Sequence, residues 1–106
     1  MSSFAFIAHM RAKPGKRQEL IDMNLEMMRV THTEPGVPIY AFNTEEADPD
    51  VFWYYDFYES EEAHAAHCAS PEYKNLMANL TNVADVIYAT KLIPFGPTKS
   101  VPVEKA

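Results

Sequence analysis

Histidine is the only residue type in this 106-residue sequence whose ordinary pKa lies near neutrality, and the chain carries four. His9 stands inside the apolar run Phe4-Ala5-Phe6-Ile7-Ala8-His9-Met10. A polar ring there needs either a hydrogen-bond partner or a pocket. Two readings follow: a buried histidine bonded to a neighbouring strand, or a base at the wall of a cavity. His64 and His67 are three residues apart in an alanine-rich segment and so share a helical face. That spacing seats two metal ligands, but a metal site needs three or four. No Cys, Asp or Glu cluster on that face completes one, so no metal is expected. His67 also has two readings, a ring packed under a helix break and a catalytic base. His64 is expected to be exposed, and His32 to sit just past a helix end, where a cation suits the dipole.

The aromatic residues are concentrated as well. They make up 12% of the chain, and Phe52, Trp53, Tyr54, Tyr55, Phe57 and Tyr58 fall in one short run. Trp53, Tyr55 and Phe57 share one face of the strand this run predicts. Packing is the default role for such a face. If it lined a pocket instead, it would offer a flat apolar site for a ring-shaped ligand, with polar handles on Trp53 and Tyr55. Met23, Met27, Met28 and Met77 lie on the helices that should cover the sheet, where methionine adapts to core or ligand. Asn24, Tyr73 and Met77 are the candidate ligand contacts on the helix side. Asp56 is a lone carboxylate with three possible partners: Arg11, Lys91 or a histidine. Cys68 reads as a small buried side chain. The sequence contains no paired acid-base carboxylates, phosphate loop, nucleophile elbow or dinucleotide fingerprint.

These groups must be positioned by a small set of elements. Residues 4–10 predict a strand, and Lys13-Pro14-Gly15 a turn. Residues 16–31 predict a helix, with Leu20, Ile21, Asn24, Met27 and Met28 at helical spacing. Glu34-Pro35-Gly36 stops it. Residues 37–43 and 51–58 predict two strands of an antiparallel hairpin across an acidic turn. Ser60 predicts a helix cap ahead of Glu61 and Glu62. Ser70-Pro71 predicts a second cap with proline at the first helical position. Residues 83–93 predict the last strand. The order is β-α-β-β-α-β with the second helix broken in two, an α+β, ferredoxin-like arrangement with a four-stranded antiparallel sheet. Residues 1–94 form the expected domain, and 95–106 a proline-containing tail that is expected to be extended and non-helical.

Composition narrows the function. One domain is all this length allows. A formal charge of −6, with no basic stripe, argues against nucleic acid and anionic membrane as partners. No apolar run is long enough to span a bilayer. The N-terminal stretch reads as a strand, not a signal peptide. A single cysteine fits a reducing compartment, so a cytoplasmic location is expected. Both faces of the first and third strands are apolar or aromatic, and nothing left in the chain is large enough to cover the second face. A homodimer is therefore expected, with two sheets meeting about a two-fold axis.

Three segments together carry a family resemblance: AHMRAKPGKRQELIDM, THTEPGVPIYAF and VFWYYDFYESEEAHAAHCASPEYKNL. Over residues 4–93 the chain resembles the antibiotic biosynthesis monooxygenase domain family. The resemblance implies a dimeric α+β barrel with a pocket between helices and sheet in each subunit. It also implies, for some members, oxidation of polycyclic phenols or quinols by molecular oxygen without a cofactor. The haem-degrading members use an asparagine, a tryptophan and a histidine where this chain has Ala8, Tyr58 and Met77, so haem degradation is not expected. The expected function is a cofactor-independent monooxygenase acting on a polycyclic phenol, quinol or anthrone. His9 or His67 would be its base, and Asn24, Trp53, Tyr55, Phe57, Tyr73 and Met77 its substrate contacts. An isomerase or tautomerase of a small metabolite, and a non-catalytic binding module, are the alternatives.

Overall fold

The strand signal at the N-terminus runs two residues further than its apolar pattern, as β1, Phe4–Ala12. Its end is held by the hydrogen bond from Ala12 N–H to the Asp50 carbonyl, 2.8 Å. A computed structural model of the chain describes residues 2–96. The Lys13-Pro14-Gly15 turn follows, with Gly15 at φ +77°, a conformation that glycine adopts without a Cβ penalty. Helix α1, Arg17–Thr31, buries Leu20, Asn24, Met27 and Thr31 at four- and three-residue intervals. That stripe faces the sheet.

The second strand starts later than its sequence pattern. It is β2, Ile39–Thr44, because Val37 N–H is already used by the Glu34 carbonyl and Pro38 has no N–H to give. The third, β3, is Val51–Tyr58 as expected. The broken helix is also as expected. Ser60 accepts from Ala63 N–H to open α2, Glu61–Ala69, and Ser70 accepts from Tyr73 N–H to open α3, Pro71–Val83. Pro71 sits where its missing N–H costs nothing. Strand β4, Ala84–Leu92, completes the sheet.

The sheet is antiparallel, in the order β2-β3-β1-β4. In the register, Met10 stands opposite Phe52, Ala8 opposite Tyr54 and Phe4 opposite Tyr58. Even-numbered residues of β1, β2 and β3 therefore share the face under the helices. There Met10, Phe52 and Tyr54 pack with Leu20, Met27, Leu76 and Leu80. Leu20 is wholly buried, worth roughly 2 kcal/mol of apolar transfer. A register irregularity between His9 and Met10 leaves Ile87 of β4 without an opposite residue. Among the described residues, no helix is long and apolar enough to cross a membrane. The expected proline-containing tail lies mostly outside the described residues.

Candidate functional site

The register decides which aromatics can meet a ligand. Tyr40, Tyr54, Asp56 and Tyr58 point under the helices, and with Tyr73 of α3 they line a cavity of about 380 Å³. Phe6, Leu76 and Leu80 supply apolar wall. The mouth lies between α3 and β4, where Met77 and Val86, each about half exposed, line its edge together with Ala89.

His67 is the buried imidazole that lines this cavity. Only 1% of its surface is exposed. Its ring packs 5.6 Å from Tyr40, 5.4 Å from Tyr58 and 5.3 Å from Tyr73, centroid to centroid. Nδ1 lies 2.8 Å from Glu34 Oε1. An ionised carboxylate only accepts, so Nδ1 is the donor, and in the neutral form of the ring the lone pair lies on Nε2. Nε2 makes no hydrogen bond among the described residues.

A second polar pair sits on the cavity floor. The Tyr58 hydroxyl donates to Asp56 Oδ2. Burial raises the Asp56 carboxyl above the usual carboxylate range, an effect that the Tyr58 bond and the neighbouring His67 only partly oppose. Burial also raises the phenols of Tyr40, Tyr54 and Tyr58, and pushes Tyr73 up to about 12. All four therefore present neutral O–H groups near neutral pH. Tyr54 Oη and Asn24 Oδ1 are buried with no hydrogen-bond partner among the described residues. The Asn24 amide is close enough to draw the Tyr54 phenol part of the way back down. Asn24 Nδ2 donates to the Leu20 carbonyl.

His64 is not the exposed residue its sequence position suggests. Its ring lies against Phe4, Phe6 and Tyr58, the last at 4.7 Å, and burial lowers its pKa. Its Nε2 is 3.4 Å from Cys68 Sγ. Among the described residues no three or more His, Cys, Asp or Glu side chains gather as a metal site would require. Of the candidate partners for Asp56, Arg11 pairs instead with Asp48 at 2.7 Å, and the Lys91 ammonium stands 4.2 Å over the Phe4 ring.

The two candidate bases lie on opposite sides of the sheet. His9 is opposite Trp53 and Tyr88, on the face away from the helices. Its ring stacks on Trp53 at 4.1 Å and 4°, its Nδ1 is buried without a hydrogen-bond partner among the described residues, and Trp53 Nε1 donates to Glu45 at 2.7 Å. Tyr55 and Phe57 share that outer face, so Trp53, Tyr55 and Phe57 do not line the cavity. Of the expected contacts, Tyr73 and Met77 do, and Asn24 lies behind Tyr54. Sequence reasoning did not single out Glu34, Tyr40, Tyr54 or Tyr58. Asp56 was the available signal: a lone carboxylate in an aromatic strand marks the parity that has polar work to do.

A family model described as antibiotic biosynthesis monooxygenase matches residues 3–79. No curated protein matches the chain. Among solved structures, a proposed antibiotic biosynthesis monooxygenase from Chloroflexus aurantiacus is 26% identical. The match covers 92% of this chain and 97% of that one, with a TM-score of 0.77. A protein from Mycobacterium tuberculosis is 25% identical over 92% of this chain and all of its own, with a TM-score of 0.83. A proposed monooxygenase of the same kind from Bacteroides thetaiotaomicron, 17% identical over 97% of both chains at a TM-score of 0.78, shares the fold.

Proposed function

The chain belongs to the antibiotic biosynthesis monooxygenase family, and from that premise we propose that it oxidises a fused-ring phenol, quinol or anthrone with molecular oxygen and no cofactor. The observation that carries this reading is the buried His67, tied through Nδ1 to Glu34 in the wall of a tyrosine-rich cavity. The flat apolar walls suit a fused ring, and the neutral phenols suit its oxygen substituents.

The chemistry asks little of the protein. His67 Nε2 takes a proton from the substrate, leaving an electron-rich anion. The anion passes one electron to oxygen, and the two radicals join as a peroxide anion. The imidazolium returns its proton to the peroxide. Loss of water across the C–H and O–O bonds then leaves a carbonyl, so that one oxygen atom enters the product and the other leaves as water. The phenols around His67 donate to the oxyanion as charge develops there.

The test is oxygen uptake by chelator-treated protein with a panel of anthrones and quinols. The reading predicts uptake well above autoxidation, with one carbonyl formed per oxygen consumed. Turnover that proceeds equally without oxygen would replace it with an isomerase, and ligand binding without turnover would replace it with a binding module. The functional unit we infer is a homodimer packed through the outer sheet face, where Ile87 and Tyr88 stand more than half exposed.

A further inference from the structure

We propose that Glu34 is a positioning residue for His67, and that the turn carrying it is built for that purpose; the proposal rests on the reading of His67 as the base. Three observations converge on the turn. Glu34 is locked by its own backbone, its N–H donating to the Thr31 carbonyl and its carbonyl accepting from Val37 N–H. The turn is then fastened to the rest of the fold where Glu59 N–H donates to the Gly36 carbonyl at 2.9 Å. Finally, Gly36 lies so close to α2 that a Cβ there would be 2.5 Å from Ala63 Cβ, a distance real side chains do not tolerate. Ala63 precedes His67 by four residues, so both are on the same face of α2. The missing Cβ at Gly36 lets the turn settle onto that face, and the settled turn brings Glu34 Oε1 to His67 Nδ1.

Burial divides the labour between the pair. The His67 side chain is 1% exposed and that of Glu34 20% exposed. Glu34 also lines a second cavity, at the end of α1, shared with Thr31, His32 and Pro35. The carboxylate thus keeps contact with solvent and avoids the full cost of a buried charge, while the imidazole it holds faces the apolar cavity. Its role has two parts. It fixes the proton on Nδ1, so that Nε2 is free to accept, and it stabilises the imidazolium formed when Nε2 takes the substrate's proton.

The experiment combines nitrogen NMR of His67, which reads the tautomer without any substrate, with oxygen uptake on an anthrone. The wild type is expected to hold the Nδ1–H tautomer. Glu34→Gln can still accept from Nδ1 through its amide oxygen. It should keep the tautomer and lose about tenfold in kcat, the charge-assisted part of the bond. Glu34→Leu should mix the tautomers and lose about a hundredfold in kcat, with KM within about twofold. Gly36→Ala, which touches neither group, should mix the tautomers as well. A His67 tautomer unchanged in Glu34→Leu overturns the proposal. So does a mixed tautomer in a variant whose uptake stays intact while His67→Ala abolishes it. If uptake is indifferent to His67→Ala, the base assignment fails on its own, and the tautomer still decides whether Glu34 positions the ring.

Discussion

Asp56 shows how one residue's surroundings set its chemistry. Burial keeps its proton bound to higher pH in the folded chain than in the unfolded one. Below the ordinary carboxylate range both states are protonated, and the residue adds no pH-dependent cost. As pH rises, the unfolded chain ionises first, so the stability this group contributes falls until the folded group ionises too. Asp56→Asn keeps an oxygen for the Tyr58 hydroxyl and removes the titration. Urea unfolding should therefore show the variant gaining on the wild type as pH rises above the ordinary carboxylate range, about pH 4; a difference that does not change with pH contradicts the assignment. At this scale the sequence was legible only in part. His67 and Tyr73 could be picked out because their types and neighbours suggest chemistry. Glu34 could not, because its contact with His67 spans 33 positions and depends on how a turn packs against a helix.

At the scale of elements, local chemistry was readable almost throughout. The caps at Ser60 and Ser70, the proline at the first position of α3 and the stop at Glu34-Pro35-Gly36 follow from backbone rules that need no tertiary information. Ser70 ends α2 and opens α3, its side chain bonding both the His67 carbonyl and Tyr73 N–H. Ser70→Ala should cost about 1 kcal/mol in denaturant unfolding. It should also loosen the two cavity residues that Ser70 joins. An effect confined to noise would mean the break is held by packing alone. What local rules did not give was parity. Both sides of β3 are aromatic, so its alternation could not say which side meets the helices. The pairing of Met10 with Phe52 and of Ala8 with Tyr54 decides it. The same pairing carries Trp53, Tyr55 and Phe57 to the outer face, together with His9.

The sheet divides the described residues into two faces of different character. The inner face holds the cavity. The outer face carries Tyr88 and Ile87 on an edge strand, both more than half exposed, beside the stacked His9 and Trp53. An exposed apolar face of this kind calls for a partner. A second copy is the partner we propose. Light scattering should give twice the chain mass of 12.0 kDa, and the double variant Ile87→Lys, Tyr88→Lys should give a single chain mass. A wild type that scatters as one chain at micromolar concentration removes the dimer without touching the cavity. The fold was legible because it follows from the order and length of elements. The dimer expectation followed from counting faces, and the substrate does not follow from either.

The most direct test compares oxygen uptake on an anthrone in the wild type, His67→Ala and His9→Ala, with all three confirmed folded by circular dichroism. His67→Ala is expected to lose uptake by about a hundredfold or more. His9→Ala, altered only on the outer face, is expected to keep uptake within a few-fold of the wild type. Uptake that survives in His67→Ala, or that is lost in His9→Ala while the dimer persists, would contradict His67 as the base.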